Sequence, residues 1–198
     1  MNEYRITPEK EIGSCNAADV STNNWNYPYA PKTEARLTYH ENKGLVIRLT
    51  CYEKEPLTRY TDNYDPVYTD SCMECFVNFC PDKSKNYINF ETNSNGAYII
   101  SYGEGRHGRV HITPTLGLSP DVKITKTEDS WTADVIIGND ILKAVYGEFK
   151  IESGYEFLGN FYKCAEDGDK PHFLSWNKLD PERMDFHVPE FFGKFIVE

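Results

Sequence analysis

Residues 65–80 run DPVYTDSCMECFVNFC: a polar, Pro-bearing lead-in, then a stretch dense in Cys, Met, Phe and Val with one acid, Glu74, at its centre. Three cysteines (Cys72, Cys75 and Cys80) in so short a stretch raise the question of a metal knot. The alternation of a β-strand answers it differently. In a strand over Cys72–Phe79, the residues Cys72, Glu74, Phe76 and Asn78 share one face, while Met73, Cys75, Val77 and Phe79 share the other. Cys72 and Cys75 then point apart, whereas zinc needs thiolates converging on one point about 2.3 Å away, usually from a turn or knuckle. No second Cys pair has matching spacing, so no metal site is expected. Cys51 and Cys164 fall in other predicted strands, where a free thiol behaves as a small buried apolar group.

Working outward, short segments rich in Val, Ile, Tyr, Phe and Thr recur between turn signals, the pattern of an all-β domain. Strands are predicted at Glu34–Tyr39, Leu45–Tyr52, Cys72–Phe79, Asn86–Thr92, Ala97–Ser101, Arg109–Ile112, Val122–Thr127, Trp131–Ile137, Tyr155–Cys164 and Lys194–Val197. ENKG at 41–44, NSNG at 93–96 and EDS at 128–130 supply the Asn, Asp and Gly that tight reversals use. One short helix is predicted over DILKAVYG, capped by Asn139 or Asp140, with Ile141, Leu142 and Val145 on one face and Gly147 ending it. It is placed at one end of the sandwich. Residues 53–71 and 165–190 are long polar connections, the kind that carry function. The expected fold class is a single antiparallel all-β sandwich with jelly-roll-like topology and one short helix, as one domain over 1–198.

The chain has 198 residues, with 21 Lys+Arg against 31 Asp+Glu and a formal charge of -10. That balance repels phosphate backbones and anionic headgroups, so neither nucleic acid nor membrane is an expected partner. Aromatic residues make up 14%, enough for a large β core or a stacking surface. The start, MNEYRITPEKEIGSCNAADVS, has no basic segment followed by an apolar run. Taken as written, that predicts a cytoplasmic chain with reduced cysteines, and an extracellular one if a leader has been removed. Composition leaves the oligomeric state open.

Glu74 has two readings. A carboxylate in mid-sheet loses hydration and needs compensating donors. These come either from an internal ion pair with Arg48, or from a ligand.

Several stretches together resemble the family 9 carbohydrate-binding modules. ARLTYHENKGLVIRLTCYEKEP is similar to that family's paired early strands, and DPVYTDSCMECFV to its proline, aromatic, Asp-Ser-(x)-Val-Glu stretch. WTADVIIGNDIL resembles its late strand and helical turn, FLGNFYKC its Gly-Asn strand, and SWNK with DFHVPEFFGKFIVE its Ser-Trp and closing Pro-x-x-Phe-Gly strand. The likeness spans roughly residues 15–198 in the same order. It implies a β-sandwich that binds a carbohydrate ligand between aromatic rings, with a carboxylate and polar groups on the hydroxyls.

Carried over by position, the resemblance places the sugar-binding carboxylate at Glu74 and one sandwiching tryptophan near Val67 or Tyr68. A basic contact falls at Tyr87 beside Asn89, another near Lys170, and the second tryptophan at Phe186 or His187. The ligand-binding set it implies is therefore Glu74, Tyr68, Tyr87, Asn89, Lys170, Phe186 and His187. Neither sandwiching position is Trp; Trp176 and Trp25 match packing tryptophans of the family. No catalytic residue and no cofactor are implied. Some relatives hold structural calcium with N-terminal carboxylates, a stretch from which only Asp19 remains.

Two other functions compete with sugar binding. An enzyme acting on glycans would pair Glu74 with Glu91 or Asp185, since glycosidases need two carboxylates flanking one bond. An accessory sandwich that has lost its ligand would account for the missing tryptophans.

Overall fold

The computed structural model describes residues 1–198. Thirteen strands follow one another: β1 (Glu3–Ile6), β2 (Ala18–Asp19), β3 (Lys32–His40), β4 (Gly44–Tyr52), β5 (Cys72–Asn78), β6 (Tyr87–Asn93), β7 (Tyr98–Gly103), β8 (Val110–His111), β9 (Asp121–Lys126), β10 (Trp131–Gly138), β11 (Glu156–Ala165), β12 (His172–Ser175) and β13 (Gly193–Val197). Two short helices join them, α1 (Ile112–Leu116) and α2 (Asn139–Tyr146). All ten predicted strands are present, and the three reversals fall at the expected hairpins.

The strands form two sheets, an all-β sandwich. The smaller runs β2-β3-β4-β10-β9 and the larger β1-β13-β11-β5-β6-β7-β8, with β12 also paired to β11. Strand β11 serves two neighbours on one edge, β13 along Glu156–Gly159 and β12 along Tyr162–Ala165. Pairing is antiparallel except between β1 and β13, which run parallel and depart from the all-antiparallel expectation. Strand β1 closes the sheet from the far end of the chain, a non-local contact that its four residues do not advertise.

The main core lies between the sheets, with Met73, Cys75 and Val77 of β5 and Phe79 just after it packed with Leu37, Ile47, Leu49, Trp131 and Val135. Trp176 belongs to this core, packing on Tyr4 and Phe195. Two glycines allow close approaches here. Gly44 takes φ +116 in the β3–β4 reversal. A Cβ on Gly159 would lie 2.4 Å from the Phe76 carbonyl oxygen, a distance no side chain accommodates.

Helix α2 packs Ile141 and Leu142 inward and ends at Gly147. Its cap differs from expectation. Gly138 is the N-cap, and Asn139 instead accepts from the Tyr39 hydroxyl and donates to the Glu41 carbonyl, tying the helix to the β3–β4 hairpin. Helix α1 was not predicted; its single turn over ITPTL ends at Gly117 in the left-handed region.

The other face of β5 and its neighbours positions the site. Every residue of β5 and β6 is buried, because the two long connections fold over the outer face of the larger sheet. They bring a 3₁₀ turn at Val67–Thr69, strand β12, and a second 3₁₀ turn at Pro189–Phe191. Two satellite apolar clusters form beneath them, one around Phe76, Tyr87, Tyr162 and Phe192, the other around Val67, Cys72, Ala97 and Cys164.

Candidate functional site: an acidic, aromatic-flanked pocket

A pocket of about 660 Å³ opens on this covered face, within the range of small-molecule sites. Its floor is the sheet itself: Glu74 and Phe76 from β5, Asn89 and Glu91 from β6, Ser101 from β7, His111 from β8 and Cys164 from β11. Register explains the grouping. Glu74 lies opposite Glu91 on one side and Tyr162 on the other, so strand alternation turns all three toward the pocket side.

The loops around the floor are pinned by charge. Asp70, fully buried, accepts from the backbone N–H of Arg59 at 2.7 Å, from Arg59 Nε at 2.9 Å and from Asn93 Nδ2 at 3.0 Å. Burial works against its ionised form, but these donors prevail and hold its carboxyl below the ordinary aspartate value. The turn carrying Tyr68 is thereby fastened to the β6–β7 hairpin. On the hairpin after β7, Arg109 donates to Asn89 Oδ1 at 2.8 Å and to the carbonyls of Gly105 and Tyr87 at 2.8 and 2.9 Å. Its guanidinium also lies 4.2 Å from the centre of the Tyr87 ring, close enough for a cation–π contact.

The two floor carboxylates differ in engagement. Glu91 Oε1 accepts from Asn89 Nδ2 at 2.7 Å; burial outweighs this bond and the field of Arg109, and its pKa is pushed up to about 7. Glu74 is 3% exposed. Its one protein donor is the Cys164 thiol, 3.1 Å from Oε1. Burial, then the neighbouring Cys164 and Glu91, raise its pKa well above the usual carboxylate range. The proposed pairing with Arg48 does not occur: Arg48 lies on the other sheet and forms a bidentate pair with Asp134 at 2.6 and 3.0 Å.

Aromatic rings rim the pocket. Phe186 stacks on Tyr162 with centroids 4.2 Å apart and planes at 10°. Trp25 packs 6.0 Å from Phe186 and edge-on to Phe173, and its indole Nε1 is buried without a hydrogen-bond partner. Tyr68, 37% exposed, lines the pocket from the turn before β5. His187 completes the set. Its Nδ1 lies 2.8 Å from the Tyr87 hydroxyl, and burial followed by repulsion from Arg109 lowers its pKa to about 3.

Of the seven residues carried over from the resemblance, the structure brings Glu74, Tyr68, Asn89, Phe186 and His187 to one pocket. Tyr87 is not on its surface: it is wholly buried beneath His187, stacked on Phe76 and edge-on to Phe192. Lys170 is elsewhere. The chain turns away after β11, so Lys170 sits over the Tyr29 ring in a separate cleft with Glu53 and His172.

The sequence reading missed several lining residues. Trp25, taken as a packing residue, is one; Arg106, Arg109, Glu166 and Phe173 are others. The GEGRHGR run at 103–109, with basic residues between glycines in a hairpin, was the available signal for two of them. The Asp19 carboxylate accepts from Ser21, and Glu34 opposite is held by Lys32 at 2.8 Å and Arg36 at 3.3 Å.

A loop-covered sheet face with a carboxylate floor and an aromatic rim, on a β-sandwich, is the construction of a carbohydrate-binding module. The family model for carbohydrate-binding family 9 matches residues 9–197, and the chain belongs to that family of non-catalytic carbohydrate-binding modules. Solved structures agree on the fold. A candidate carbohydrate-binding protein of Bacteroides uniformis ATCC 8492 is 24% identical, with a TM-score of 0.81 over 98% of this chain and 99% of that one. A family 9 module of Caldicellulosiruptor kristjanssonii in complex with glucose is 12% identical, with a TM-score of 0.71 over 100% of this chain and 96% of that one. The same organism's module in complex with cellotriose is 11% identical, with a TM-score of 0.72 over 100% and 94%. A search of curated proteins gives no match. No helix is long and apolar enough to cross a membrane.

Proposed function

We propose that this pocket binds a sugar ring, with Glu74 accepting from its hydroxyls and the rings of Tyr68, Trp25 and Phe186 packing on its apolar C–H faces. The observation that carries this reading is the state of Glu74: a carboxylate buried in the floor of an aromatic-rimmed pocket, bonded within the protein only by a thiol. A buried carboxylate needs better donors than that, and vicinal sugar hydroxyls are donors of matching spacing. Asn89 and His187 set the polar edge, and Arg109 holds Asn89 in place. The bound ligand is a glycan or oligosaccharide rather than nucleic acid or lipid, in keeping with the chain's negative charge.

In this reading the protein performs no chemistry on the sugar. Glu74 and Glu91 rise side by side from adjacent floor strands, whereas glycosidase carboxylates flank the scissile bond from two sides. The test is a glycan array followed by titration calorimetry with the wild type and Glu74→Ala. Binding by the wild type, reduced at least about tenfold in a folded Glu74→Ala, is expected from loss of the side chain's hydrogen bonds to the sugar hydroxyls. Failure of the folded wild type to bind any sugar would sink the proposal.

A further inference from the structure

We propose that Cys72, Glu74 and Cys164 form a binding site for one thiophilic divalent cation of the zinc class, with a coordination position open to the pocket. The three side chains come from one face of the larger sheet. Cys72 and Cys164 are directly opposite each other on β5 and β11, and Glu74 follows Cys72 by one full strand repeat on the same face. The alternation that separates Cys72 from Cys75 is what aligns it with Cys164, a partner 92 positions away that no local spacing reveals.

The geometry suits the ion. Two sulfurs and a carboxylate oxygen all lie within 4.8 Å of one another, and Cys164 Sγ is 3.1 Å from Glu74 Oε1. Tetrahedral zinc with bonds of about 2.3 Å sets its sulfurs about 3.8 Å apart. The sulfurs therefore need to draw in by about 1 Å at most, while the Cys164–Glu74 contact opens by about 0.5 Å. All three residues are buried, so no side chain must be recruited from solvent. Glu74 and Cys164 line the pocket while Cys72 lies behind them among Val67 and Ala97, which leaves the fourth position on the pocket side. Three protein ligands with one open position is a known zinc arrangement.

Charge also fits. Two thiolates and a carboxylate around a divalent cation leave a net single negative charge. Lys163, fully buried and next to Cys164 in the chain, adds a buried cation close to the site. Zinc has no redox chemistry and lends the pocket only a Lewis-acidic position for water or a hydroxyl.

The test uses the full chain, kept reduced and stripped of metal, titrated with cobalt(II) and then zinc(II). One equivalent of cobalt is expected to give a thiolate-to-cobalt charge-transfer band with tetrahedral visible bands, bleached by one equivalent of zinc. Cys72→Ser and Cys164→Ser each abolish the band, Glu74→Gln weakens binding by more than about tenfold, and Cys15→Ser changes nothing. X-ray absorption at the zinc edge of the wild type, which needs no variant to fold, shows two sulfur neighbours. The proposal is overturned by absence of the band, by a band that survives both serine substitutions, by a zinc environment without sulfur, or by a Cys72–Cys164 disulfide in reduced buffer.

Discussion

Replacing Lys163 by Met tests the buried polar knot that anchors β11 behind the pocket. Lys163 has no exposed surface; its Nζ donates to Ser71 Oγ at 2.9 Å, to the Cys164 carbonyl at 3.0 Å and toward His172 Nε2 at 2.7 Å, and pairs with Glu53 at 3.4 Å. Glu53 also accepts from Trp131 Nε1 at 2.9 Å and from the Ser71 hydroxyl. Methionine matches the length of the chain but removes the cation, leaving a buried carboxylate with two donors and no counter-charge. Breaking such a pair costs about 3–5 kcal/mol. The two surviving donors place the expected loss near the lower end, about 3 kcal/mol, or a Tm drop of roughly 6–12 °C for a chain this size.

Chemical denaturation at pH 7 measures the loss directly. The double variant Glu53→Gln/Lys163→Met should lose less than the sum of its singles by about 1–3 kcal/mol, since removing both charges leaves neither stranded. His172 supplies a further check. Burial first and Lys163 second depress its pKa to about 4, so without Lys163 the imidazole protonates more readily and the penalty shrinks below pH 6. A Lys163→Met protein within about 0.5 kcal/mol of wild type, or strict additivity in the double variant, refutes this account of the knot.

Other perturbations follow from the same coordinates. Trp25→Ala should weaken sugar binding about five-fold, the value of roughly 1 kcal/mol of aromatic packing, by titration calorimetry on protein with unchanged far-UV circular dichroism and a cooperative unfolding transition. Arg48→Ala should leave sugar affinity untouched and cost less than about 1 kcal/mol, because its pair with Asp134 is about a third exposed. An effect on sugar binding would revive a link to Glu74. Two buried histidines lose stability in mild acid, against an opposite contribution from Glu91 and Glu74, whose raised pKa values favour the folded state as pH falls. The folded-state pKa values of His172 and His187, about 4 and about 3, lie below the ordinary imidazole value of about 6.5. Between these values the unfolded chain binds more protons, so the contribution is full above about pH 6.5 and each histidine costs about 2 kcal/mol by pH 5. The charged groups facing them are Lys163 and Glu53 for His172, and Arg109, Asp185, Arg106 and His107 for His187. A His187→Gln variant whose unfolding free energy falls between pH 6.5 and 5 as steeply as wild type contradicts the assignment.

The parts of the fold legible in the sequence are those set by local pattern. Strands β3, β4 and β10 alternate cleanly and end at Asn- or Gly-bearing turns, so both their faces and their hairpins could be read. The face of Glu74 followed from period two alone. What escaped was set by distant partners. Strand β1 takes its place by pairing with β13, and β12 is four residues inside a polar connection, completed by β11. The same division runs through the site. Floor residues Glu74, Asn89 and Glu91 belong to readable strands. Trp25 and Arg106 arrive on loops and Phe173 on the short strand β12, and nothing local says where these segments fold back. Tyr87 and Lys170 show the complementary error. Family position put both at the sugar, but the segment ending in Phe192 covers the first, and the turn after β11, held by the Lys170 carbonyl 2.8 Å from His172 Nδ1, carries the second away.

The pocket floor divides into two halves with different roles. In one, Arg109 holds Asn89, and Asn89 holds Glu91, a connected run of hydrogen bonds that fixes each orientation before any ligand arrives. Both ends of the Asn89 amide are engaged by protein, so its first task is to position Glu91. In the other half, Glu74 rests against thiols, which are weak donors that give way readily to a stronger partner. A site of this kind gains specificity from its rigid half and binding free energy from its yielding one. The replacement of the family's sandwiching tryptophans fits the same division, because the rim built by Tyr68, Trp25 and Phe186 comes from three separate connections and can be retuned without disturbing the sheet. Glu74 is therefore the residue on which the proposed sugar site and the proposed metal site converge. Its thiol neighbour Cys164 is the position where a conservative change to Ser separates the two, since a serine hydroxyl retains the hydrogen bond to the carboxylate while abolishing the soft ligand.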